Sequence, residues 1–350
     1  MDFRELGIED KVVSYGFASD IGLFMLATSK KVCLYNYDGK IVRVISDKSN
    51  ILSADVSSDC SRILVSLKNK RIKTYNILGQ VLCEIPVKNK GIISISKIGN
   101  LSVFFNENNL SMWSKGGKVL CKLSSDLLGV SGNFLKICIS PHGNRIFIMT
   151  HGSKLDFVDY LLFPLGLVGD MIGDFIKSQI GEIVLYVLKK PPLAKLTRLS
   201  DIKEKNYVWL NYLTKIDSIS IKKISPKSSI YFSIDITPLG LGIFTAGNSL
   251  YLYDVKEQTS RKASHIKLCN KTETITSSKL GYGSELLYYL VRKGKVTIMS
   301  IYNPFTNAKW DKLETFNSTN VGFDVSRDEK TILFVDFDKK KVCLYSINWV

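Results

Sequence analysis

Three stretches of this chain align on one another at a spacing of about forty residues, and that repeat limits the folds open to it more than any other feature. The stretches are residues 32–41, 72–81 and 110–119. Each passes through an aromatic (Tyr35, Tyr75, Trp113), reaches a glycine (Gly39, Gly79, Gly117) and resumes as an apolar run. A strand, a glycine turn and a second strand account for this pattern. Near the C-terminus, residues 340–345 (Lys-Lys-Val-Cys-Leu-Tyr) repeat residues 30–35 residue for residue, so the last unit is of the same kind as the first.

A second motif lies about twenty residues upstream of these strands. It reads Asp55-Val56-Ser57-Ser58-Asp59, Asp235-Ile236-Thr237-Pro238-Leu239-Gly240 and Asp324-Val325-Ser326-Arg327-Asp328, with Ile139-Ser140-Pro141-His142-Gly143 as a further copy. Each is the end of a strand, a tight polar turn and the start of another apolar strand. The third strand of each unit falls near Tyr35, Tyr75, Trp113, Phe157, Trp209, Tyr253, Met299 and Tyr345. A period in the low forties is what four short strands and their turns add up to, roughly one propeller blade. The expectation is an all-β propeller of eight blades, or of seven if the stretch 161–227 is an insertion. Residues 1–350 then form a single domain.

The polar turn after the aspartate resembles the turn between the two innermost strands of WD40-type blades, although the Gly-His and Trp-Asp signatures of that family are absent. The resemblance spans nearly the whole chain and implies the fold; it carries no function with it. The last unit stops at Val350, just after its third strand, so residues 2–9 are expected to supply the missing outer strand and close the ring.

Between Leu165 and Ile180 the apolar residues Leu165, Val168, Ile172, Phe175, Ile176 and Ile180 recur at helical spacing. This predicts a short amphipathic helix at 164–180, inserted at about 161–181 with its apolar side on the propeller. The greasy run 160–176 is interrupted by Pro164, Asp170 and Asp174, which is too broken for a membrane span. The opening Met1-Asp2-Phe3-Arg4-Glu5 lacks the basic and apolar regions of a secretory signal. Seven cysteines, without a Cys-x-x-Cys pair, suit reduced thiols in an intracellular, cytoplasmic or nuclear protein. Cys33, Cys83, Cys121, Cys138 and Cys343 stand among Val, Leu and Ile and read as packing residues.

Lysine and arginine number 48 against 32 acids, a net charge of +16, which calls for an anionic partner. The placement of the bases sharpens that reading. Turns between second and third strands carry Lys30-Lys31, Lys68 to Arg71, Lys154, Lys203 with Lys205, Arg292 to Lys295, and Lys339 to Lys341. Connections between blades reach the same face and add Lys48, Lys88, Lys90 and Lys227, while Asp20, Asp59, Asp328 and Glu329 fall on the opposite face. The candidate partner- or anion-binding residues are Lys30, Lys31, Lys70, Arg71, Arg292, Lys293, Lys340 and Lys341. Solubility and protection of strand edges would also place lysines in such turns.

Catalytic equipment is missing from the sequence. His142, His151 and His265 form no metal-binding spacing, and there is no Walker loop or nucleophile elbow; Gly281-Tyr282-Gly283-Ser284 has the wrong pattern. No cofactor, metal or catalytic residue is expected. The sequence therefore points to a non-enzymatic scaffold or adaptor, a monomeric propeller in a larger complex, binding an acidic protein through its basic face. The alternative is RNA or DNA backbone binding by that face, with anionic-membrane or phosphoinositide binding third.

Overall fold

The computed structural model describes residues 3–8, 10–106, 109–124, 133–139, 145–151, 180–188, 213–222, 232–236, 241–246, 249–254, 264–270, 272–284, 286–304 and 306–347. Strand β1 (Phe3–Gly7) comes first. The first sheet then holds β2 (Val12–Ala18), β3 (Leu23–Thr28), β4 (Lys31–Asn36) and β5 (Ile41–Ser46). The second has β6 (Ile51–Val56), β7 (Ile63–Leu67), β8 (Arg71–Tyr75) and β9 (Val81–Pro86). The third has β10 (Ile92–Ile95), β11 (Leu101–Phe105), β12 (Asn109–Ser114) and β13 (Val119–Ser124). The fourth has β14 (Asn133–Ile139), β15 (Arg145–His151), β16 (Ile180–Leu188) and β17 (Leu213–Lys222). The fifth has β18 (Phe232–Ile236), β19 (Leu241–Ala246), β20 (Ser249–Asp254) and β21 (Ser264–Lys267). The sixth has β22 (Thr274–Leu280), β23 (Leu287–Lys293), β24 (Val296–Tyr302) and β25 (Lys309–Phe316). The last has β26 (Val321–Val325), β27 (Thr331–Asp336) and β28 (Lys341–Ser346), and β1 pairs antiparallel with β28 as its fourth strand.

The protein is thus all-β, built from small antiparallel sheets in a propeller-like arrangement. The first strand of each sheet touches the first strand of the next, from β2 through β6, β10, β14, β18 and β22 to β26, and β26 touches β2. Apolar clusters fill the spaces between neighbouring sheets. One packs Met25 and Leu34 of the first sheet on Ile63 and Val65 of the second; another packs Phe17 and Phe24 of the first on Leu333 and Val342 of the last. Burial follows from this stacking. Second strands such as β3, β7 and β27 are buried along their whole length because sheets cover both faces, so they are continuous apolar runs rather than alternating ones. Outer strands such as β5 and β9 are largely exposed.

The aspartates that open the polar-turn motif tie adjacent sheets together. Asp324 Oδ2 accepts the Phe17 N–H at 3.0 Å, Asp55 Oδ2 accepts the Ile95 N–H at 2.9 Å, and Asp235 Oδ2 accepts the Leu280 N–H at 2.9 Å. In each case a carboxylate at the end of one innermost strand satisfies a backbone donor on the innermost strand of the following sheet. Such a donor left unmatched in the interior costs about 1–3 kcal/mol.

The sequence favours eight units, or seven if 161–227 is an insertion; the described strands form seven four-stranded sheets. Third strands were expected at Tyr35, Tyr75, Trp113, Tyr253, Met299 and Tyr345, and these lie in β4, β8, β12, β20, β24 and β28. Phe157 and Trp209 lie outside the described residues. The strand between them is β16, which pairs with both β15 and β17, so strands β14 to β17 form one sheet. The helix expected at 164–180 lies outside the described residues except for Ile180, which opens β16.

Candidate interaction face

Hydrogen bonds between turns define two faces. On one, the turns joining first to second strands meet their neighbours: the Asp20 N–H donates to Ser58 O at 2.9 Å, the Ser58 N–H to Lys97 O at 2.7 Å, and the Arg327 N–H to Ser19 Oγ at 3.1 Å. On the other, the turns joining second to third strands meet the connections between sheets. Here the Ile51 N–H donates to Ser29 O at 2.8 Å, the Lys68 N–H to Asn50 O at 2.8 Å, the Val87 N–H to Lys70 O at 2.9 Å, and the Phe337 N–H to Asn320 O at 3.0 Å.

The candidate basic residues all lie on this second face. Thr28 Oγ1 accepts the N–H groups of Lys30 and Lys31, each at 3.3 Å, and shapes the first turn. In the second sheet a three-residue turn, Lys68-Asn69-Lys70, ends with Lys70 at φ 63°. In the last, Asp336 Oδ1 accepts the N–H groups of Asp338 at 3.1 Å and Lys339 at 3.0 Å, and Lys340 follows at φ 54°. A left-handed residue before the returning strand fits such hairpins, but glycine is the residue that adopts it without strain. Lysine there costs roughly 1 kcal/mol.

The eight candidates then divide. Lys30 Nζ pairs with Asp10 at 3.2 Å, Arg71 pairs with Glu84, and Lys293 Nζ pairs with Glu273 at 3.5 Å. Arg292 and Lys341 also have partners within the fold. Lys31, Lys70 and Lys340 are exposed and carry no ion pair among the described residues. The same holds for Lys48, Lys68, Lys88, Lys90, Lys295 and Lys339 on this face. Lys154, Lys203, Lys205 and Lys227 lie outside the described residues. Among the described residues, the surplus of base on this face is therefore mainly free ammonium.

The acids expected on the opposite face are engaged by the fold. Asp20 Oδ1 accepts from Arg327 at 2.7 Å. Asp59 accepts from Ser57 Oγ at 2.7 Å and the Ser61 N–H at 2.9 Å; burial opposes its ionisation, but these bonds hold its pKa below the usual carboxylate value. Asp328 accepts from Ser326 Oγ at 2.6 Å. Glu329 is buried at φ 57° and accepts from the N–H groups of Gly283 at 2.7 Å and Ser284 at 2.9 Å, from Tyr288 Oη at 2.9 Å and from Ser284 Oγ. A Cβ at Gly281 would sit 2.3 Å from Glu329 Oε2, so a larger residue there would push this carboxylate aside.

A charged cluster from several sheets was not read from the sequence. Asp324 Oδ1 lies 3.4 Å from Lys279 Nζ. Burial opposes ionisation of Asp324, yet Lys279, Lys97 and the Phe17 N–H hold its pKa below normal. Burial likewise works against a charged Lys97, while Tyr282, Asp324 and Asp55 raise its pKa. The only signal for this cluster was the aspartate repeated at one position of three motif copies, which had marked a turn rather than a contact between sheets.

Among the described residues no group of three or more His, Cys, Asp or Glu side chains could hold a metal ion, and no helix is long and apolar enough to cross a membrane. Of the cysteines read as packing residues, Cys33 and Cys343 are buried and Cys83, on an outer strand, is half-buried. In comparisons with known proteins, no family model matches the chain and no curated protein matches it.

Proposed function

We propose that the chain is a closed seven-bladed propeller of WD40-like build that works inside the cell as a non-enzymatic scaffold, docking an acidic protein on its lysine-rich face. The observation that carries this reading is the contrast in pairing: Lys31, Lys70 and Lys340 stand exposed without ion pairs among the described residues on one face, whereas the acids of the other are bonded within the fold. Two of these lysines also occupy left-handed turn positions where glycine would be less strained, which solubility alone does not call for. The ring of contacts among innermost strands and the β1–β28 pairing support the closed propeller.

The same free ammonium groups favour a second reading, contact with the phosphate backbone of RNA or DNA. The two separate by probe and salt. Fluorescence anisotropy of a labelled polyglutamate peptide and a mixed-sequence RNA, across about 50 to 300 mM salt, should show peptide binding that disappears in a Lys31/Lys70/Lys340→Glu variant. Tighter binding of RNA, with a steep salt dependence, would replace the protein partner by nucleic acid. Binding of neither at low salt would overturn both.

A further inference from the structure

The outer edge of β5 is a second place where a partner fits. β5 ends the first sheet, and no strand pairs with its free edge among the described residues. Its sequence is Ile41-Val42-Arg43-Val44-Ile45-Ser46, with Ile41 56%, Val42 48% and Val44 46% exposed. An open row of backbone N–H and C=O groups beside apolar side chains is a template for strand addition, and proteins ordinarily guard such edges with charges or proline. Two other outer strands here are guarded. β25 carries Lys309, Asp311, Lys312 and Glu314, with Lys309 and Asp311 paired at 3.1 Å. β9 ends in Pro86, and its Glu84 is taken up by Arg71 and Lys73.

β5 has no proline, glycine or acid. Its single charge is Arg43, at mid-strand, exposed and without an ion pair among the described residues. The apolar border continues past the strand: the turn through Gly79 abuts β5, a Cβ at Gly79 lying 3.5 Å from Ile45 Cγ1, and Leu78 on that turn is 58% exposed. A second copy of this chain is a poor occupant, because a net charge of +16 and an arginine in each edge would repel.

We propose that the β5 edge takes up an extended segment of an acidic partner protein. The segment adds to the first sheet as a fifth strand, sets a carboxylate opposite Arg43 and covers Val42 and Val44 with apolar side chains. Backbone hydrogen bonds supply affinity and the alternating side chains supply selectivity. The site is separate from the lysine-rich face and does not depend on it.

The test uses the full chain and a fluorescein-labelled pentapeptide library with Glu fixed at the centre and Val, Ile, Thr or Phe at the other positions. Members of the library should bind. Arg43→Glu should weaken them at least about tenfold, Lys31/Lys70/Lys340→Glu should leave them within about twofold, and N-methylation of alternate peptide amides should abolish binding. Val44→Lys is a second edge variant, and circular dichroism checks that each is folded. A library without a binder, binding that survives Arg43→Glu and Val44→Lys, or binding that survives N-methylation would overturn the proposal. Loss of binding in the lysine variant would move the peptide to the other face and overturn it equally.

Discussion

The two turn faces of this protein are made from the same chain at the same strand spacing, yet they treat charge in opposite ways. On the face of the first-to-second-strand turns, carboxylates are bonded into the fold: Asp20 to Arg327, Asp59 and Asp328 to the serines of their own turns, and Glu329 to the neighbouring sheet. On the other face, lysines project from the second-to-third-strand turns, and several of them carry no ion pair among the described residues. A charge that the fold needs is found bonded, and a charge that the fold does not need is left to solvent or a partner. That distinction separates charge the fold uses from charge available to a partner better than net charge does.

The largest effect should come from Asp324→Ala. It leaves the Phe17 N–H and the Lys279 ammonium without their carboxylate between the last and first sheets, and urea unfolding should show a loss of about 3–5 kcal/mol. Glu329→Ala removes four accepted bonds and should cost about 2–3 kcal/mol.

Acid should reveal the same face. Asp324 and Asp59 have folded-state pKa values below the usual carboxylate value, so their stabilisation is present above an unfolded pKa of about 4 and disappears as pH falls through the lower folded values. The urea midpoint should stay level from about pH 7 to 5 and drop below about pH 4, with an unchanged profile in Lys31/Lys70/Lys340→Glu. The smallest effect is expected at the left-handed lysines. Lys70→Gly and Lys340→Gly should each raise stability by about 0.5 kcal/mol in thermal unfolding while weakening polyglutamate binding.

Much of the fold was legible because the repeat carries its own markers. The aromatics at 35, 75, 113, 253 and 345 fall in third strands, as does Met299, and the glycine turns at 39, 79 and 117 adopt positive φ. The markers run out in the fourth sheet. Around β16 no aromatic-glycine pair at the repeat's spacing sets the strand. Lysines in turns could be placed on a face because strand alternation fixes which end of a sheet each turn occupies. Which of them are paired could not be read, since Asp10, Glu84 and Glu273 reach Lys30, Arg71 and Lys293 from positions that only the pairing of strands brings near. The aspartate contacts between sheets were hidden for the same reason: the acceptor repeats in sequence, but its donors at Phe17, Ile95 and Leu280 share no motif.

The most direct test of the central claim is paired measurement of unfolding and polyglutamate binding in Lys31/Lys70/Lys340→Glu. The account predicts a urea midpoint like that of the wild type and no binding. A variant that loses stability as Asp324→Ala does, or one that keeps the midpoint and still binds, would contradict it.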